Sequence, residues 1–408
     1  MSYQITAPGE PIVTRLRLPS SKSISNRALI LNALSNSPYP VENLSNCDDT
    51  QVTIAAFRPE THLIDIHAAG TAMRFLTAYF SGKTGEWTLT GTARMRQRPI
   101  RLLVEALRSL GAKIEYLGEE GFPPLKISGR KLTGGALTLA GNVSSQYISA
   151  LLMVAPYMEQ GLTLTLSGEV ISRPYIEMTI QLMRQYGISV CWEGDVIRIA
   201  PQTYTPTAFQ VEADWSAASY WYEIVSLIPG SSIELSGLQH PSTQGDARIA
   251  EFFKPLGVET QYLETGARLV HTGNRRQRIE LNLSDQPDLA QTLVVTCSLL
   301  DIPFCFTGLQ SLKIKETDRI AALKNELAKL GYPIADRNNS VLEWDGRHTA
   351  PQSAPAIDTY DDHRMALAFA PAAVRFPGLV VNHPEVVSKS YPDFWDDLKQ
   401  NGFTVNEI

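Results

Sequence analysis

The sequence predicts an α/β protein built from repeated helix–strand units and folded as two similar domains. Three observations lead there: a helix–glycine–strand pattern that recurs along the chain, the even spacing of its copies, and a lone strand at the N-terminus. The copies read LLVEALRSLGAKIEYL, MTIQLMRQYGISVCW, IAEFFKPLGVETQYL, IAALKNELAKLGYPIAD and FWDDLKQNGFTVNEI. In each, an amphipathic helix stops at a glycine that suits a left-handed cap, and a short alternating strand follows. The glycines are Gly111, Gly187, Gly257, Gly331 and Gly402, so successive copies stand 76, 70, 74 and 71 residues apart. A weaker copy without the glycine, DDTQVTIAAFRPETHLIDI, lies upstream, and six units of this size nearly fill the chain. Because the chain ends just after its last helix–strand copy, the opening ITAPGEPIVTRLRLP is expected to complete the sixth unit. Residues 1–20 then join residues 214–408 in one domain, and residues 21–213 form the other.

Composition excludes several function classes. The 408 residues are 44% hydrophobic and 19% charged, which is ordinary for two or three globular domains. The formal net charge of −6 argues against a nucleic-acid partner. The four cysteines, Cys47, Cys191, Cys297 and Cys305, show no CxxC spacing, so buried thiols in a reducing compartment are expected. The start MSYQITAPGEP lacks a basic stretch followed by an apolar core, and no apolar run reaches spanning length. No secretory leader and no membrane partner are expected, and a cytoplasmic location follows. None of the seven histidines forms an HxxxH or HExxH pair, so neither a metal nor another cofactor is expected.

The chemistry-bearing segments are taken in chain order. LPSSKSISNRALI (residues 18–30) runs from a strand into an apolar helix and offers Lys22, Ser23 and Arg27 beside backbone N–H groups that favour an anion. It lacks the GxxxxGK of a P-loop. AAGTAMRFL (68–76) places Gly70 where a ligand could approach the backbone closely. ARMRQRPI (93–100) alternates Arg94, Arg96 and Arg98, which would share one face if this stretch were a strand. NVSSQYISALLM (142–153) sets Ser144, Ser145 and Gln146 before an apolar helix, more polar groups than one cap requires. SRPYIEMT (172–179) sets Ser172 and Tyr175 before another, with Ser172 expected as its cap.

In the second half, DQPDLAQTL puts Asp288 just ahead of an apolar helix, and KETDR gathers Lys315, Glu316, Asp318 and Arg319 at a helix start. A glutamate among cations can serve as an acid–base group with a tuned pKa. DDHRMALAFA opens a nearly uncharged helix with a His363–Arg364 pair, and SKSYPDFW carries Lys389.

Taken together and in order, SKSISNRAL, GTAMR, RPI, SSQ, SRPYI, PDLAQ, KETDR, DHRMA and SKSYPDF resemble the 5-enolpyruvylshikimate-3-phosphate synthase family over nearly the whole chain. The resemblance implies two similar domains, each of three βαβαββ units in a clam-like arrangement with the active site in the cleft. It implies transfer of the enolpyruvyl group of phosphoenolpyruvate to the 5-hydroxyl of shikimate 3-phosphate, with release of phosphate, by a monomer. Shikimate 3-phosphate would be held by Lys22, Ser23, Arg27, Ser144, Ser145, Gln146, Ser172, Tyr175, Asp288 and Lys315. Phosphoenolpyruvate would be held by Lys22, Gly70, Arg98, Gln146, Arg319, Arg364 and Lys389. Asp288 and Glu316 would form the acid–base pair, with Lys22 assisting.

The residue types suit that chemistry, since two multiply charged anions must meet and a proton must move at both the hydroxyl and the methylene carbon. The chain departs from the family pattern at Ala68 and Phe75, at Trp215 in DWSAASY, and at Val386 and Val387. These positions bear on the shape of the phosphoenolpyruvate pocket and so on the action of glyphosate, the family's inhibitor. Two alternatives remain open at this stage: the sister transferase acting on UDP-N-acetylglucosamine, and a non-catalytic anion-binding relative.

Overall fold

A computed structural model describes residues 1–58 and 62–408. The chain divides into two compact units, Met1–Pro19 with Glu212–Ile408, and Ser20–Val211. Each unit has its own hydrophobic core.

One topology repeats. Strand Ile279–Asn282 leads into helix Ala290–Leu299 and returns to a parallel strand, Phe304–Thr307. Helix Arg319–Lys329 follows, and then the hairpin Ala335–Arg337/Val341–Trp344, whose second strand pairs antiparallel with Phe304–Thr307. Equivalent four-stranded sheets form around the parallel pairs Leu63–Asp65/Gly85–Thr90, Gly135–Ala140/Leu162–Ser167, Val13–Arg17/Ser232–Ser236 and Ala356–Ile357/Leu379–Asn382. In the last, the outer hairpin is assembled from the two ends of the chain: Ser2–Thr6 lies antiparallel between Leu379–Asn382 and Thr404–Glu407. In the sixth, the sheet shrinks among the described residues to the two-stranded pairing of Phe209–Gln210 with Val41–Glu42. The weak copy, which follows Val41–Glu42 in the chain, includes residues 59–61, which lie outside the described residues.

The repeating glycines occupy the conformations that their role demands, with φ between +84° at Gly187 and +105° at Gly111. The third copy departs from expectation. Its helix is only Ile249–Phe253, and Gly257 falls inside strand Leu256–Leu263 at a register shift. Pro255 explains both, since its ring and missing N–H stop the helix two residues early.

Helices Ser145–Val154, Trp215–Leu227 and Ala290–Leu299, first in their units, are largely apolar and buried; Arg101–Ser109 and Arg319–Lys329, second in theirs, are amphipathic and bury one face. All ten residues of Ala290–Leu299 and all seven of His363–Phe369 are buried. Helix Trp215–Leu227 packs on Ala290–Leu299, which packs on His363–Phe369. In the other unit, helices Lys22–Leu34, Gly70–Gly82, Ser145–Val154 and Arg173–Gln185 pack on one another. The expectation of buried thiols holds for Cys47 and Cys297 but not for Cys191, which is exposed on the outer strand Cys191–Glu193 of its sheet. All four cysteines are free. No helix among the described residues is long and apolar enough to cross a membrane.

Glu223 is the one charged residue type in Trp215–Leu227, and it is fully buried. Burial pushes its carboxyl well above the usual range, and the nearby Thr296 hydroxyl opposes this without reversing it. A folded-state pKa above the unfolded one means that the associated stability is complete below the unfolded value and is lost as pH rises toward the folded one. Glu223→Gln should therefore raise the unfolding temperature more at pH 8 than at pH 5. Thermal unfolding of both proteins across that interval checks it; a pH-independent difference would show that the carboxyl does not titrate abnormally.

Candidate active site

Every candidate residue follows the carboxyl end of a parallel strand, where the chain turns into a helix. Lys22, Ser23 and Arg27 come after Val13–Arg17, Gly70 after Leu63–Asp65, and Arg98 after Gly85–Thr90. Ser144, Ser145 and Gln146 follow Gly135–Ala140, and Ser172 and Tyr175 follow Leu162–Ser167. Asp288, then Lys315, Glu316 and Arg319, then Arg364, then Lys389 follow Ile279–Asn282, Phe304–Thr307, Ala356–Ile357 and Leu379–Asn382. The repeat thus places candidate side chains at most of its strand-to-helix turns.

In the unit containing the C-terminal half, all six candidates join one ion-pair network. Arg319, only 1% exposed, is the first residue of its helix. Its Nε and Nη2 donate to the Asp362 carboxylate at 2.7 and 3.2 Å, a two-pronged grip. Arg319 Nη2 also donates to Glu316 Oε2 at 3.0 Å, and Nη1 to Asp288 Oδ1 at 3.2 Å. Asp288 further meets Lys315 Nζ at 3.4 Å and Arg364 Nη2 at 2.9 Å. Glu316 Oε1 meets Lys389 Nζ at 3.3 Å. Four cations and three carboxylates leave an excess of one positive charge in this network.

The electrostatics follow. Desolvation disfavours the charged form of Asp288, but Arg364, then Lys315, then Arg319 outweigh it, and the pKa is driven far below the carboxylate range despite Glu316. Desolvation would likewise lower Arg319, yet Asp362, Glu316 and Asp288 together hold it above its ordinary value. Burial pushes the Tyr220 phenol up to about 12; Arg364, whose Nη1 donates to its oxygen at 3.3 Å, opposes this.

In the other unit the candidates rest mainly on neutral partners. Arg27 is buried; its Nε donates to Thr179 Oγ1 at 2.7 Å, Nη1 to the Ser23 carbonyl at 2.9 Å, and Nη2 to Ser149 Oγ at 3.3 Å and the Tyr175 carbonyl at 3.2 Å. Burial pulls its pKa down to about 10, with Tyr175 opposing, so the side chain stays charged at neutral pH. The Phe75 ring lies 5.3 Å from the guanidinium. Lys22 pairs with Asp49 at 3.7 Å. Gln146 Nε2 donates to Thr71 Oγ1 at 3.1 Å, and Ser144 caps helix Ser145–Val154 by accepting from the Gln146 N–H.

These contacts bring the first turns of Gly70–Gly82 and Ser145–Val154 together, and likewise those of Lys22–Leu34 and Arg173–Gln185. None of the four helices carries an acidic residue in its first turn. Their N–H groups and dipoles favour an anion there.

Two expectations are corrected. ARMRQRPI is not a strand: Met95–Gln97 forms a 3-10 turn that leaves Arg94 and Arg96 exposed and buries Arg98 alone. The alternation was that of a tight turn, not of a pleat. Ser172 stands at the cap position of Arg173–Gln185 but gives no side-chain cap bond, because its backbone is left-handed, φ 55°. Asp362, Asp49, Thr179, Ser149 and Tyr220 were not singled out from sequence. Asp362 had a local signal, an acidic residue directly preceding the His363–Arg364 helix start, where it caps by accepting from the Arg364 N–H at 3.0 Å.

This combination of a duplicated βαβαββ fold with buried cation clusters at its strand-to-helix turns defines an anion-handling α/β architecture. Comparisons place it. The family profile described as EPSP synthase (3-phosphoshikimate 1-carboxyvinyltransferase) matches residues 6–60 and 58–398. A Bacteroides fragilis protein named 3-phosphoshikimate 1-carboxyvinyltransferase is 58% identical over 406 residues, covering 99% of both chains. One of the same name from Shewanella pealeana is 34% identical and covers 94% of this chain and 95% of its own. Among solved structures, EPSP synthase from Acinetobacter baumannii shares the fold with a TM-score of 0.79 at 22% identity, over the full length of both. The chain belongs to the EPSP synthase family, whose members are transferases.

Asp362 is fully buried and grips a buried cation, so removing its charge leaves Arg319 short of its best partner. Asp362→Asn should lower stability by about 3–5 kcal/mol. Denaturant unfolding measures this; a loss below about 1 kcal/mol would show that Asp288 and Glu316 suffice.

Proposed function

We propose that this protein transfers the enolpyruvyl group of phosphoenolpyruvate to the 5-hydroxyl of shikimate 3-phosphate and releases phosphate. The observation that carries this reading is the single network in which two carboxylates, Asp288 and Glu316, are each bound to cations that an anionic substrate could take over. Shikimate 3-phosphate is assigned to Lys22, Ser23, Arg27, Ser144, Ser145, Gln146, Ser172, Tyr175, Asp288 and Lys315. Phosphoenolpyruvate is assigned to Lys22, Gly70, Arg98, Gln146, Arg319, Arg364 and Lys389. On this reading the protein acts as a monomer in the cytoplasm.

The chemistry requires the 5-hydroxyl to lose a proton as its oxygen attacks C2 of the enolpyruvate, while C3 gains one. The tetrahedral intermediate then expels phosphate as C3 returns its proton, so no net proton is consumed by the carbon skeleton. Asp288 and Glu316 divide these transfers, with Lys22 assisting. The low pKa of Asp288 has a consequence here. While Lys315, Arg319 and Arg364 face it, Asp288 is ionised but a weak base. When phosphate and carboxylate groups of the substrates engage those cations, the field on Asp288 weakens and its basicity rises at the moment a proton must be accepted. Arginine grips such groups in pairs of hydrogen bonds, and lysine supplies a compact charge.

Phosphate release from shikimate 3-phosphate plus phosphoenolpyruvate, with UDP-N-acetylglucosamine as control acceptor, tests the reading. Release only with shikimate 3-phosphate is expected; release only with the nucleotide sugar would replace it with the sister reaction, and tight binding without release would mark a non-catalytic relative. Glu316→Gln and Asp288→Asn should each lower kcat by about 10²–10⁴-fold while both ligands still bind. A variant that keeps near-normal kcat removes that residue from the acid–base role.

Gly70 tests the pocket wall. A Cβ there would stand 2.7 Å from Arg98 Nη1, the far end of a side chain that can yield. Gly70→Ala should therefore fold normally, displace the Arg98 guanidinium and raise KM for phosphoenolpyruvate, leaving that for shikimate 3-phosphate nearly unchanged. Equal changes in both would mean a general disturbance of the unit.

A further inference from the structure

Resting on the assignment of Gly70, Arg98 and Gln146 to phosphoenolpyruvate, we propose that Tyr147 and Arg74 are positioning residues that lock the Arg98 turn against the Gly70 wall. Neither belongs to the ligand sets above. The Pro99 carbonyl, one residue beyond Arg98, accepts from Tyr147 Oη at 2.6 Å and from Arg74 Nη2 at 3.2 Å. Arg74 Nη1 donates to the Gly70 carbonyl at 3.1 Å and lies 3.7 Å from the Met95 sulfur in the turn that precedes Arg98. Its guanidinium is also 5.9 Å from the Tyr147 ring. Both side chains are buried, and Tyr147 directly follows Gln146 in the first turn of its helix.

Three separate turns are thereby tied at one carbonyl: the start of Gly70–Gly82, the Met95–Arg98 turn and the start of Ser145–Val154. The Arg98 turn is a single short 3-10 segment, so its placement draws on such cross-links. A buried guanidinium anchored on Gly70 and Pro99 also adds fixed positive potential behind the wall that a compact anion would meet. Binding groups must be held within a fraction of an ångström to be effective, and here the supporting contacts converge on the residues assigned to one substrate.

Tyr147→Phe deletes only the hydroxyl and keeps the ring. It should raise KM for phosphoenolpyruvate about 3–10-fold, the span of one lost hydrogen bond, with kcat and the KM for shikimate 3-phosphate changed less than about twofold. Tyr204→Phe is the control, since Tyr204 Oη also donates to a carbonyl of the Ser145–Val154 helix, that of Met153, at its far end. It should leave both KM values unchanged. Arg74→Lys, which keeps the charge but loses the two-pronged reach, should reproduce the selective rise in KM. An unchanged KM in Tyr147→Phe, equal rises for both substrates, or the same rise in Tyr204→Phe would each overturn the proposal. A parent protein that releases no phosphate at all would instead overturn the underlying functional reading.

Discussion

Taking a guanidinium out of water is the constraint on which the C-terminal unit's site depends. Arg319 is almost wholly buried, and an isolated charge in that position would cost more than a small domain's stability margin. Three carboxylates on three different turns make it possible: Asp362 before one helix, Asp288 before another, and Glu316 three residues ahead of Arg319 itself. The partners of those carboxylates then fix Lys315, Arg364 and Lys389. Once Arg319 is satisfied, the positions of six other charged groups follow from it. The arrangement is held by attraction within the protein, yet it keeps an excess of positive charge for an anion.

The two units reach the same end by different means. The C-terminal unit clamps its cations with carboxylates, which raises Arg319 and depresses Asp288. The Ser20–Val211 unit supports Arg27 with hydroxyls and carbonyls, and burial lowers its pKa. Positive potential for an anion is added there by helix N-termini that carry no acidic residue in their first turns. Carboxylates that can accept protons are therefore concentrated in the C-terminal unit, with Asp288 and Glu316, whereas the other unit offers preformed donors.

Much of this was legible in the sequence because the repeat enforces it. Glycine with positive φ after an amphipathic helix is a local requirement, so Gly111, Gly187, Gly331 and Gly402 announce their units plainly. Gly257 misled because Pro255 shortens its helix, an effect visible in the sequence but outweighed by the regular spacing. The candidate cations were legible because charged residues at the start of apolar helices are conspicuous. Their partners were less so. Asp362 is a plain cap until Arg319, 43 residues away, is brought beside it; Thr179 and Ser149 look like ordinary helix residues until Arg27 lies between them. Long-range pairing of this kind leaves no periodicity to read. The Arg94–Arg96–Arg98 alternation failed for the opposite reason, since a tight turn can mimic a pleat over so few residues.

The central claim is that Arg319 is held in place before any ligand arrives. The most direct measurement is nuclear magnetic resonance of the arginine side-chain N–H groups in the ligand-free protein, with Arg319 assigned by the signals missing from Arg319→Lys. The account predicts separate, slowly exchanging Arg319 Nη resonances, because the guanidinium is buried and gripped by Asp362, Asp288 and Glu316. Averaged, rapidly exchanging Arg319 signals would contradict it, and would mean that the cation is ordered by the substrate and not by the fold.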